Sequence, residues 1–228
     1  MVKIDNIPLV FKHHKLAKRM KLRYDASCDH AVITMPPRTN QKEAINFATR
    51  HLEWLEKQRK NAPERIYLYP DFTIPYKGKK RQITHYPDEK ADVTITDDNI
   101  YVGGPTAGVS VRLENYLKKQ ARDAISPLAD SMAAKLKMSF KRIQIRDTKS
   151  RWGSCSSTGT LSFSWRLIMT PPEILEYVVA HEISHLVEMN HSPAFWRTVD
   201  LLVSDAQASR KWLRSEGNQL MLILSHAP

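Results

Sequence analysis

The segment that most constrains this chain begins at Thr170-Pro171-Pro172-Glu173. Proline is favoured in the first helical turn, threonine is a good N-cap, and Glu173 stands at the capping-box position, so a helix is predicted from about Ile174 to Leu186 with Thr170 as its cap. Within it lies His181-Glu182-Ile183-Ser184-His185. Residues four apart share one helix face about one turn apart, so both imidazoles can reach a single ion while Glu182 sits beside them. His191 follows six residues later, beyond Glu188-Met189-Asn190, where the helix is expected to break. Asn190 tolerates the left-handed conformation that would turn the chain back. Three imidazoles leave the fourth tetrahedral position of a zinc ion open, the pattern of a catalytic site rather than a structural one. His181, His185 and His191 are therefore the candidate metal ligands. Glu182 is the candidate general base, acting on a water that zinc activates.

The remaining composition narrows the setting. A chain of 228 residues that is 42% hydrophobic and 26% charged can bury a core as one domain or two. No apolar run approaches the roughly 18 residues needed to span a bilayer, which argues against a membrane-spanning protein. The first twenty residues alternate charge with apolar side chains and lack a cleavage-type segment, so the cytoplasm is the expected location. Cys28 and Cys155 are too few for a disulfide framework or a cysteine-built zinc site. A net charge of +11 favours polyanions, including nucleotides and non-specific contact with nucleic acid. The Lys and Arg residues are nevertheless spread along the chain.

An α+β fold in two parts is predicted, residues 1–105 and 106–228. In the first, alternation of Met20, Leu22 and Tyr24 with charged residues, and then of Ala31, Ile33 and Met35, predicts a hairpin. Asn40 with Glu43 opens a helix through about Arg59, with Pro63 beyond its end. Short strands are expected at residues 66–69, 81–86, 93–96 and 100–102. The glycine-rich stretch Gly103–Gly108 marks the boundary. In the second part, Ser110 caps a long helix to about Lys137, whose apolar stripe (Leu113, Leu117, Ala121, Ile125, Met132) reads as core. Ile143 and Ile145 mark a strand. A hairpin from residue 151 to 168 follows, with Trp152 and Gly153 near its start and Leu161, Phe163 and Trp165 on one face. Ser192-Pro193 restarts a helix in which Phe195 and Trp196 pack against the histidine helix. No internal repeat is evident.

The stretch SRWGSCSSTGTLSFSWRLIMTPPEILEYVVAHEISHLVEMNHSPAFW, Ser150 to Trp196, resembles the signature of the YgjP-like metallopeptidase family, itself similar to the SprT-like and WLM zinc proteases. The likeness extends more weakly over most of the chain. It implies a zincin-like C-terminal catalytic part, a Zn2+ cofactor held by His181, His185 and His191, and Glu182 as base. The histidine spacing also resembles metzincins, but Glu188 replaces their glycine and no Met-turn is assignable, so metzincin mechanics are not carried over.

Candidate substrate-binding residues are Arg151, Trp152 and Arg166, with Tyr177 a further candidate for oxyanion stabilisation. The leading expectation is a peptidase acting on a peptide or protein, with the hairpin offering an edge strand. The competing one is a nucleotide or phosphoanhydride hydrolase, suggested by Lys141, Arg142, Arg146, Lys149 and Arg151. A third is a nucleic-acid-binding module with a vestigial metal. The SprT-like resemblance also implies DNA-associated proteolysis, although no dedicated nucleic-acid-binding motif is present.

Overall fold

The structure, a computed structural model, describes residues 2–26, 28–62, 65–148 and 150–224. Pro63 and Lys149 lie outside the described residues. The fold is mixed α+β and divides into two compact units, residues 1–65 and 66–228.

In the first unit, β1 (Lys3–Ile4) and β2 (Ile7–His13) are joined by Asp5-Asn6, both at positive φ, the two-residue turn whose twist matches that of the strands. The expected hairpin is present as β3 (Lys21–Asp25) and β4 (His30–Met35). The sheet order is β1-β2-β4-β3, with β2 and β4 parallel. Ile7, Leu9, Ala31, Ile33 and Met35 form the buried face, as a period of two requires. They share a core with Ala44 and Ala48 of α1 (Gln41–Thr49) and Leu55 of α2 (Leu52–Lys60). Asn40 caps α1, its Oδ1 accepting from the Glu43 N–H at 2.9 Å. The single helix expected through Arg59 is broken at Arg50-His51. There Thr49 Oγ1 donates to Ile45 O, and the His51 ring reaches Phe47 O, side-chain bonds that compete for helix carbonyls and bend the chain.

The second unit opens with β5 (Ile66–Tyr67), β6 (Thr73–Tyr76), β7 (Lys79–Tyr86), β8 (Val93–Ile95) and β9 (Asn99–Gly103). The order β6-β7-β9-β8, with β7 and β9 parallel, repeats the strand order of the first unit, down to a positive-φ turn at Lys77-Gly78 between the first two strands. No sequence repeat announces this. The long helix α3 (Val109–Lys135) starts from Gly108 at φ 90°, two residues earlier than the expected cap Ser110. The expected boundary near residue 105 does not separate the compact units: Ile83, Ile100 and Val102 share one core with Leu113, Leu117 and Ala121 of α3. The glycines at 104 and 108, both at positive φ, turn the chain from sheet to helix instead of forming a linker.

β10 (Arg142–Arg146), β11 (Gly153–Cys155) and β12 (Thr160–Ser164) form a sheet in the order β10-β12-β11. The return strand is shorter than expected, because Trp165–Met169 coil into a 3-10 turn with Ser164 accepting from the Arg166 N–H. The helix α4 (Pro172–Ser184) follows. Thr170 does not cap it; its hydroxyl donates to Leu167 O, closing the 3-10 turn, and Pro171 takes the cap position. The β6–β7 turn anchors this junction, with Lys77 N–H donating to Ile168 O and Gly78 N–H to Met169 O. A side chain at 78 would meet Pro171 at 3.2 Å. The remaining elements are α5 (Pro193–Leu202), α6 (Ala206–Ser215), α7 (Gly217–Leu220) and β13 (Ile223–Leu224), the last pairing in parallel with β5. Among the described residues no helix is long and apolar enough to cross a membrane.

Candidate active site

The last turn of α4 presents His181 and its C-cap is His185, and Ser192-Pro193 brings His191 to them by restarting the chain as α5. Ser192 Oγ accepts from the Phe195 N–H at 3.3 Å, as its sequence position predicted. The intervening turn is made differently from expectation. Asn190 is not at positive φ; its side chain accepts from the Ser192 N–H at 2.9 Å and donates to Glu188 Oε1 at 3.0 Å, so the amide group makes the turn that a left-handed backbone would otherwise make. Phe195 closes one side of the cluster, its ring 4.6 to 4.9 Å from those of all three histidines.

The three histidines offer ligand atoms that all lie within 4.8 Å of one another. His181 Nε2 and His191 Nε2 face each other at 3.1 Å. Two nitrogens on one zinc ion at tetrahedral angles stand about 3.4 Å apart, so the cluster is close to a ligating geometry. His185 Nδ1 lies 3.1 Å from Glu188 O, a contact that assigns the proton to Nδ1 and leaves Nε2 as the free lone pair. His181 Nδ1 is buried with no such partner among the described residues. Burial, reinforced by His185, His191 and Arg210, pushes the His181 imidazolium down to about 4, and burial also lowers His185. Neutral imidazoles are the form that binds a metal. The donor set therefore fits a borderline-soft divalent cation.

Glu182 is 6% exposed. Burial raises its carboxyl to about 7, against the charge of Arg151 and a hydrogen bond from the backbone N–H of Cys155. The strand above it is β11. Ser164 N–H donates to Trp152 O and Ser156 N–H to Thr160 O, so the alternate residues Gly153 and Cys155 turn their backbone groups away from β12, toward Glu182. Burial and the Glu182 charge raise the Cys155 thiol to about 11, which removes it as a nucleophile at neutral pH.

The chain matches the model of the YgjP-like metallopeptidase domain over residues 18–216. It belongs to the YgjP-like metallopeptidase family. No curated protein matches the chain, and no solved structure does. Membership in a metallopeptidase family implies a metal cofactor, and the histidine cluster is the matching donor set among the described residues.

Of the other residues singled out in this YgjP-like sequence, Arg151 is exposed and its charge reaches Glu182. Trp152 is half-buried against the core, with Gly217 beneath its ring. Arg166 requires a correction. It is fully buried, stacked on Trp165, and its guanidinium donates twice to Ile223 O and once to Asp147, so it is held inside the fold and away from any substrate. Tyr177 is 5% exposed, with its ring 6.0 Å from His181. Sequence reasoning missed the part played by Gly153. The available signal was a glycine inside a predicted strand, which marks a close approach by another group.

Proposed function

We propose that this chain is a zinc-dependent peptidase with a zincin-like C-terminal part, acting on peptides or proteins in the cytoplasm. His181, His185 and His191 would hold Zn2+, each through a neutral imidazole nitrogen. When bound, the ion supplies Lewis-acid activation of a water and of the scissile carbonyl. Glu182 takes the proton of the attacking water at its carboxylate and returns it to the leaving amine, so no covalent acyl intermediate forms. The Cys155 N–H keeps that carboxylate aimed, and Gly153 lets it lie against the strand. β11 is one of the two outer strands of its sheet among the described residues, and it is the one beside Glu182, which suits it to pair with an extended peptide. Arg151, exposed and within electrostatic reach of Glu182, would steady the developing oxyanion.

The observation that carries this reading is the convergence of three imidazoles beside a buried carboxylate that is hydrogen-bonded to a strand edge. A metal-replete activity panel of unfolded proteins, short peptides and nucleoside triphosphates tests it, with the Glu182→Gln protein as blank. Peptide-bond cleavage absent from the blank is expected. Release of phosphate or pyrophosphate without peptide cleavage would overturn the peptidase reading in favour of phosphoanhydride hydrolysis.

A further inference from the structure

A second charged surface reaches the histidines from α6. Asp205 caps this helix, Oδ1 accepting from the Ala208 N–H at 2.8 Å. Between residues 206 and 215 the helix carries three cations and no carboxylate: Arg210, Lys211 and Arg214. Arg210 and Arg214 are one turn apart on one face, a like-charge pair that weakens a helix unless something else uses it. With Gln207 and Ser215 the three cations line a concavity of about 560 Å³. None of them forms an ion pair among the described residues.

Arg210 is fixed in place. Its guanidinium carbon lies 4.2 Å from the centre of the Trp196 ring. That indole stacks at 29° on His191, 5.8 Å away, and stands 5.9 Å from His181. One aromatic ring therefore separates the guanidinium from the metal-binding histidines. The charges of Arg210 and Arg214 also reach Tyr177, whose ring neighbours His181. A guanidinium held over an indole loses less entropy on binding than a free one, and its N–H fork matches a carboxylate in two parallel hydrogen bonds.

We propose that this concavity is a carboxylate subsite of the peptidase, resting on the reading above. Arg210 receives one carboxylate of the substrate, and Lys211 and Arg214 attract a second, so acidic peptide segments are the preferred substrate class. The carboxylate comes either from Asp and Glu side chains or from the C-terminus of the peptide, and the same chemistry would bind both.

Binding to the zinc-loaded, full-length Glu182→Gln protein tests this without turnover. Fluorescence anisotropy compares a short Glu-containing peptide with its Gln counterpart, each with a free and an amidated C-terminus. Charge-assisted hydrogen bonds predict about tenfold or greater preference for the charged partner. Preference following Glu assigns the side-chain carboxylate, and preference following the free terminus assigns the C-terminal one. Adding Arg210→Gln with Arg214→Gln should reduce the preference to under about twofold while zinc content holds. Arg214→Gln alone, at an exposed position, repeats the test where no packing is disturbed. Lys141→Gln with Arg142→Gln, remote charges on the same chain, should leave the preference unchanged. Equal or absent binding of all four peptides overturns the subsite, as does a preference that survives the α6 substitutions. Tighter binding of single-stranded oligothymidylate, lost with the same substitutions, overturns it in favour of nucleic acid. Selective acidic binding with no cleavage by the unsubstituted enzyme would sink the peptidase reading and leave an anion site, whereas cleavage without acidic preference would do the reverse.

Discussion

Gly153 lies so close to Glu182 that a Cβ at residue 153 would stand 2.6 Å from both Cγ and Oε1 of the glutamate. The carboxylate is thus seated against bare backbone, with the neighbouring Cys155 N–H as its donor. Gly153→Ala should force the Glu182 side chain off this seat while leaving all three imidazoles in place. Stability should fall by about 1–3 kcal/mol, as for other overpacked sites. Turnover should fall at least tenfold with zinc content near one per chain. Full activity in the alanine protein would show that this seat does not position the base.

Ligand and base should separate cleanly. Glu182→Gln keeps shape and imidazoles but cannot take a proton at neutral pH, so it should hold zinc while losing about 10²–10⁴-fold in turnover. His181→Ala, His185→Ala and His191→Ala each remove a ligand and should lose zinc and activity together. Metal content by mass spectrometry beside peptide turnover reads both. Tight zinc retention by the His191→Ala protein would remove His191 from the ligand set.

Arg166 is expected to matter for stability alone. Arg166→Met leaves Ile223 O without its two donors and Asp147 without this cation. Urea denaturation should show a loss of about 3 kcal/mol, the usual result of removing one side of a buried charged hydrogen-bond set. Zinc content and KM of the folded fraction should match the parent. A raised KM with unchanged stability would restore Arg166 to substrate binding.

Acid and alkali should act on the first unit through Tyr24 and Asp29, whose side chains are hydrogen-bonded. Burial works to raise Asp29, but hydrogen bonds from Tyr24 and Arg59 and the charges of Arg59 and Arg65 outweigh it and hold the carboxyl below its ordinary value. Because the folded pKa is the lower one, this contribution is present above the unfolded value near 3.9 and is lost as pH falls through the folded one. Tyr24 is raised to about 12 by burial and then by its bond to Asp29. Its contribution is complete below the unfolded value near 10 and disappears as pH climbs toward the folded one. Melting temperature against pH should therefore show an acid loss that Asp29→Asn abolishes. Tyrosinate absorbance should show one group titrating late that Tyr24→Phe removes. An unchanged acid limb in Asp29→Asn would mean other carboxylates govern it.

Local rules made much of the site legible. A period of 3.6 residues puts His181 and His185 on one face, and Ser192-Pro193 restarts the helix that aligns His191, so these features depend on near neighbours alone. The β3–β4 hairpin was readable for the same reason, its alternation marking the buried face directly.

What the tertiary structure decided lies between residues far apart in the chain. Thr170 has the side chain of a helix cap, yet its hydroxyl is taken by the preceding turn. Gly153 and Glu182 are brought together only when β11 lies over α4, and Arg166 meets Ile223 across 57 residues, turning an apparent substrate-binding arginine into a buried anchor for the last strand. The glycines at 103–108 carry the same turn signal in a linker as in the sheet-to-helix corner they actually form, and the shared core of β9 and α3 chooses between the two. Likewise, the repeated strand order of the two sheets depends on which backbones pair, a property that side-chain periodicity does not encode. The sequence by itself determined that His181, Glu182 and His185 come together on one short stretch of helix, because helical spacing is local. Only packing determined which of the remaining polar groups face a substrate and which are consumed by the fold, because each buried donor must find its acceptor wherever the chain brings one.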